Sequence, residues 1–212
     1  MNRLGVVLLG VAAVAFVAYR FVLPRMSSRP AASAVVLDED PRQTPLSVPQ
    51  SVTVTRGDRQ YVIEKLFDYE ISGEVLSAST YDITWTNDFA DVDLALLWGP
   101  TRAQLKDRFK FFQMGRWLFW RTDGPVSDAE RLEVTRHISN NHLIPSETSK
   151  HLARAFRMLR QGDDVRITGS LVRITGPSGL LVTSSTVRDD TGDGACEVVW
   201  VDELQVGSRI YR

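Results

Sequence analysis

Apolar and polar positions divide the chain into three stretches of different rhythm. From Leu4 to Tyr19 every residue is apolar or glycine; Arg20 interrupts, and Phe21, Val22 and Leu23 carry the run to Pro24. Read as one helix, residues 4–23 match the thickness of a bilayer's hydrocarbon core. Arg20 then lies within a turn of the end, where a long cationic side chain snorkels to the headgroups. The second stretch, residues 24–51, is rich in Pro, Ala and Ser around the acidic Asp38-Glu39-Asp40 and has no apolar period, so it reads as a flexible tether. From residue 52 to 212 short alternating runs separated by turn residues predict a β-rich globular domain.

Within that domain, Tyr69 to Leu76 alternates and suits a strand, and Asp93 to Trp98 is an apolar run stopped by Gly99-Pro100, as in a buried strand. Arg116 to Arg121 is apolar on both pleat faces and predicts a central strand. The aromatic cluster Phe109, Phe111, Phe112, Trp117, Phe119 and Trp120 reads as core packing in preference to a membrane contact. After Pro145, Ser146 caps a predicted helix to about Gln161, with Leu152, Ala155, Phe156 and Leu159 on one stripe and Gly162 as its stop. A hairpin follows, Val165 to Ile174 and Leu180 to Val187, around Gly176-Pro177-Ser178-Gly179. In its first strand the apolar parity changes at Gly169-Ser170, which suggests a bulge. A last strand runs from about Cys196 to Val201, and Leu132 to Ile138 is a further short element. The expected fold is mainly β (α+β): a small curled antiparallel sheet or partly open barrel with one packed helix, behind residues 1–3 as a tail and a single transmembrane helix.

Composition narrows the function only a little. Net charge is −1, so no strong overall field draws in nucleic acid or anionic lipid, and no nucleic-acid partner is expected. The expected partner is membrane lipid, through the N-terminal helix; a protein partner is left unnamed. Orientation is contested. Arg20, Arg25 and Arg29 after the run direct the domain to the cytoplasm by the positive-inside rule. A very short tail ahead of the run is the layout of an exported, anchored protein, and an extracytoplasmic domain is the expectation adopted. Ala32-Ser33-Ala34 lies too far beyond the run for a cleavage site, which favours an uncleaved anchor.

One cysteine, Cys196, rules out an intramolecular disulfide and a CxxC site. Two polar segments hold the candidate chemistry: residues 139–145, ahead of the predicted helix, and residues 188–197, entering the last strand. Cys196 as nucleophile, His142 as base and an Asn or Asp (Asn140, Asn141, Asp189 or Asp190) to orient the ring would form a thiol site. Against it, Cys196 shares pleat parity with Val198 and Trp200, the pattern of a buried thiol. Arg188, Asp189, Asp190 and Glu197 form a second candidate, a binding cluster, set against a structural ion-pair network. A calcium loop starting at Asp189 fails at its twelfth position, Trp200, and no metal or other cofactor is expected.

Five stretches together, residues 94–100, 115–121, 140–145 (NNHLIP), 162–165 and 190–197 (DTGDGACE), resemble an uncharacterised family of bacterial proteins with an N-terminal apolar segment. The resemblance implies a bacterial origin and a membrane or envelope setting, and no activity. The leading expectation is a membrane-anchored, non-catalytic binding or assembly module; the rival is an anchored hydrolase using Cys196 with His142.

Overall fold

The structure is a computed structural model, and it describes residues 28–80, 92–146, 151–187, 190–192 and 194–212. The apolar run Leu4 to Leu23 lies outside these, and among the described residues no helix is long and apolar enough to cross a membrane. The strands are β1 (Arg29–Pro30), β2 (Arg42–Arg56), β3 (Arg59–Thr80), β4 (Val92–Leu97), β5 (Lys110–Met114), β6 (Trp117–Arg121), β7 (Ile138–Pro145), β8 (Asp164–Thr175), β9 (Leu181–Thr183), β10 (Glu197–Val206) and β11 (Arg209–Tyr211). Three helices join them: α1 (Arg102–Arg108), α2 (Asp128–Arg136) and α3 (Leu152–Phe156).

Five strands close into a ring. β3 pairs with β4, β4 with β7, β7 with β10, β10 with β8, and β8 back with β3. Every pair is antiparallel except β7 and β10, which run parallel. The mainly β expectation therefore holds, while the sheet is not purely antiparallel, and the described residues hold three helices where one packed helix was expected. Strand β3 is long enough to wrap the barrel because it is bent twice. Leu66 and Leu76 are extra residues against β8 and β4, and each such bulge adds twist.

Alternation along the strands separates an interior from an exterior. Ile71, Leu94, Leu96, Leu143, Val165, Ile167, Val199 and Val201 point inward, and Leu152, Ala155, Phe156 and Leu159 plug the interior from α3 and the turn after it. The expected stripe of that helix is thus buried, although α3 spans only Leu152–Phe156 and residues 147–150 are not described. The outer face carries two further apolar clusters. One joins Tyr61, Ile63, Ile144, Val172, Ile174, Val198 and Trp200; the other joins Ala95, Leu97, Leu105, Phe109 and Val134.

Four expectations are corrected. The parity change in β8 is not a bulge in that strand: odd residues face inward throughout, and Val172 and Ile174 are apolar because the second cluster covers the outer face there. The bulge lies across from it, at Asp202 of β10, and Gly169 is required because a Cβ there would sit 2.0 Å from the Trp200 carbonyl oxygen. Residues 138–145 are a strand, not the polar turn before a helix. The expected tether is folded from residue 28 on. β1 pairs with β11, β2 pairs with β3, Asp38 bonds Arg102, and Asp40 accepts from the Trp98 indole at 3.2 Å. Such an edge strand is held by backbone hydrogen bonds, tolerates Pro45 and Pro49, and shows no apolar period. Lastly, Trp117–Arg121 is not a central strand; it pairs only with β5, as a hairpin on the outside of the barrel.

Candidate thiol site

On the outer face of β4, β7 and β10, between the two apolar clusters, the side chains are polar. Register places Asp93 opposite His142 and Ala95 opposite Asn140. It also places Val198 beside His142, so Cys196, two residues earlier on the same pleat side, comes level with Asn140. Cys196, His142, Asn140 and Asp93 therefore converge because of strand pairing, across chain separations of up to a hundred residues.

Asp93 is fully buried. Its Oδ1 accepts a hydrogen bond from His142 Nδ1 at 2.6 Å and one from Arg116 Nη1 at 2.8 Å. Arg116 Nη1 also lies 3.4 Å from Nδ1, and Cys196 lies close enough to the ring to act on its protonation. Burial alone pulls the ring toward its neutral form. The hydrogen bonds and negative charges of Asp93 and Cys196 outweigh it and raise the His142 pKa from the usual 6.5 to about 9. The ring is thus an imidazolium at neutral pH.

Asn140 is held in one orientation by a chain of hydrogen bonds. The Ser79 hydroxyl donates to Gln113 Oε1 at 3.1 Å, and Gln113 Nε2 donates to Asn140 Oδ1 at 2.7 Å. This leaves Asn140 Nδ2 to donate to the Arg116 carbonyl at 2.8 Å and toward Cys196 Sγ at 3.6 Å. Cys196 is half-buried, at the edge of a cleft of about 200 Å³. Trp117, Leu118 and Trp120 of the hairpin form one wall, Ile138 to Asn140 the floor, and Asp190 to Gly192 with Ala195 to Glu197 the other wall.

The remaining candidates part company. Asn141 faces the barrel interior, where it donates to the Leu94 carbonyl and Ser139 Oγ and accepts from the Tyr69 hydroxyl at 3.4 Å. It does not orient His142, because one step along a strand reverses the face. Arg188, Asp189 and Asp193 lie outside the described residues. Asp190 lines the cleft and accepts from Ser185 Oγ at 2.6 Å, while Glu197 is buried on the pleat side opposite Cys196. Among the described residues no group of three or more side chains is arranged to hold a metal ion.

Asp93 and Arg116 were missed from sequence. Asp93 did carry a signal: it is a carboxylate heading a run whose every other member is apolar, so the strand's burial forces it to have a partner. No protein-family model, no curated protein and no solved structure matches this chain, so its function is read from geometry alone.

Proposed function

We propose that the protein is a membrane-anchored thiol hydrolase acting on an acyl substrate, with Cys196 as nucleophile, His142 as acid and base, and Asp93 as the group that holds the imidazole. The observation that carries this reading is the His142 ring held by Asp93 at 2.6 Å, with Cys196 brought beside it by strand register at the edge of a cleft. The Cys196 thiolate attacks the carbonyl carbon, and the electron pair moves to the carbonyl oxygen. Asn140 Nδ2, already aimed at the sulfur, is placed to donate to that oxyanion. Collapse expels the leaving group, which takes the proton from His142 and leaves a thioester on Cys196. His142, now neutral, removes a proton from water; hydroxide displaces the thiolate, and a carboxylic acid departs as the imidazolium is restored.

The non-catalytic module remains the second reading, favoured by the ring itself. A five-stranded Greek-key barrel with a helix between its third and fourth strands is the connectivity of the OB-type barrel, whose second and third strands offer a binding face. Here those strands are β4 and β7, so both readings put the ligand over Asp93, Asn140 and His142. The Asp190 carboxylate beside the cleft argues against a polyanionic ligand.

Mass spectrometry after exposure to an activated acyl ester separates the two. The hydrolase reading expects an acyl adduct on Cys196 that turns over, absent in Cys196→Ser and accumulating more slowly in Asn140→Ala. An intact wild-type protein that never acquires the adduct rejects it.

A further inference from the structure

The β5–β6 hairpin divides the aromatic cluster between two faces. Phe111, Leu118 and Trp120 turn inward onto Leu105, Phe109 and Val134. The opposite face carries three cross-strand pairs: Met114 with Trp117, Phe112 with Phe119, and Lys110 with Arg121. Phe112 and Phe119 are stacked at 5.7 Å between centroids. Yet the four apolar members of this face are open to solvent, with Phe112 at 40%, Met114 at 65%, Trp117 at 42% and Phe119 at 37% exposure. The other large apolar side chains exposed among the described residues, such as Val36, Leu132 and Leu181, are scattered along the chain. Among the described residues this hairpin pairs with no other strand and leaves four aromatic or thioether side chains in water, a contiguous apolar patch of the kind that is often functional.

We propose that this face is a second membrane contact, lying in the headgroup region of the bilayer that holds the N-terminal helix. Three observations favour lipid. The face combines Trp, Phe and Met with a cationic pair at its open end, the composition that suits an interface of acyl chains and anionic headgroups. The apolar run ends at Leu23 and strand pairing begins at Arg29, a reach of at most about 22 Å even fully extended. The barrel is therefore held close to the membrane surface. Third, four partly exposed side chains offer on the order of 300 Å², well short of the roughly 800 Å² per partner of a stable protein interface. The proposal does not depend on the thiol chemistry. Where both hold, the Cys196 cleft, which shares Trp117 with this face, opens at the level of the headgroups.

Brominated lipids test it on the full chain. The N-terminal run contains no tryptophan, so quenching of tryptophan emission by acyl-chain bromine reports the domain and not the anchor. The full chain is reconstituted into phosphatidylcholine–phosphatidylglycerol vesicles with and without brominated phosphatidylcholine. Wild type is expected to lose emission, and Trp117→Phe to abolish at least half of that loss. Trp120→Phe, on the inward face, serves as the control and leaves the loss unchanged. Lys110→Glu with Arg121→Glu should reduce quenching in anionic vesicles. Equal quenching in wild type and Trp117→Phe overturns the proposal. So does a Trp117 signal that responds to protein density in the vesicle and not to bromine, which would assign the face to a second copy of the chain.

Discussion

Asn140 and Asn141 are adjacent residues of one strand, and they belong to two different kinds of polar structure. Asn141 lies inside the barrel, fully buried, with its partners Leu94, Ser139 and Tyr69 supplied by the interior itself. Asn140 lies outside, reached by a chain of side chains that begins at Ser79 and ends on the Cys196 sulfur at the cleft. The interior network is closed, and its product is a fixed barrel. The exterior network is open at one end, where the Cys196 sulfur meets a cleft. Both are made of amides, hydroxyls and carboxylates; what separates them is which side of the pleat they occupy. The inside–outside distinction therefore predicts different consequences for substitutions one residue apart.

The largest effect belongs to the interior. Phe156→Ala removes the deepest ring of the helix that plugs the barrel and should cost about 3–5 kcal/mol, read as a lower denaturant midpoint. Thiol reactivity of the remaining folded fraction should be unchanged. A smaller interior effect is expected for Asn141→Ala, about 1–3 kcal/mol, because buried groups on Leu94, Ser139 and Tyr69 lose their partner. Asn140→Ala should cost less than Asn141→Ala, because its site borders the cleft, where water can replace the lost partner, and should slow the acyl transfer proposed for Cys196. If the two variants behave alike, the comparison breaks.

His142 adds a pH dependence that the interior lacks. Its pKa is about 9 in the folded protein against about 6.5 unfolded, so its contribution to stability is complete below about pH 6.5 and is lost as pH rises through about 9. His142→Gln should lower the denaturant midpoint at pH 6, and the gap to wild type should close by about pH 10. A gap that stays constant with pH would show that the ring is held by packing and not by Asp93 and Cys196. The smallest effect is expected far from both networks. Ser127 accepts from the Glu130 amide and Glu130 returns to the Ser127 backbone, a capping box at the start of α2. Ser127→Ala should cost about 1 kcal/mol and change neither network.

How much of this was legible in the sequence follows from the range of the interactions. The runs at 69–76 and 93–98, the 165–187 hairpin and the stripe Leu152, Ala155, Phe156 and Leu159 announce themselves because period is a local signal. Strand β2 and the docked Asp38 and Asp40 do not, since their hold is a register with β3 and single bonds to Arg102 and Trp98. The thiol and the imidazole were named from residue type, but the orienting group was sought among neighbours in sequence. Asn141 is excluded by pleat parity, and Asp93, forty-nine residues upstream of His142, is brought in by strand pairing alone. The buried-thiol expectation for Cys196 failed for a related reason. Its parity does match Val198 and Trp200, but the apolar cluster over that face stops short of the first residue of the run.

The measurement that bears most directly on the Asp93–His142–Cys196 line is the rate at which iodoacetamide alkylates the native protein as a function of pH. The chain has a single cysteine, so the rate reports Cys196 alone. With the His142 imidazolium beside the sulfur, wild type should react fast at about pH 6.5 and depend less on pH than a variant that lacks the ring. His142→Gln should be at least about tenfold slower at pH 6.5 and climb steeply with pH, as an ordinary thiol does. Identical steep profiles in the two proteins, or a wild type that reacts only in denaturant, would contradict the account.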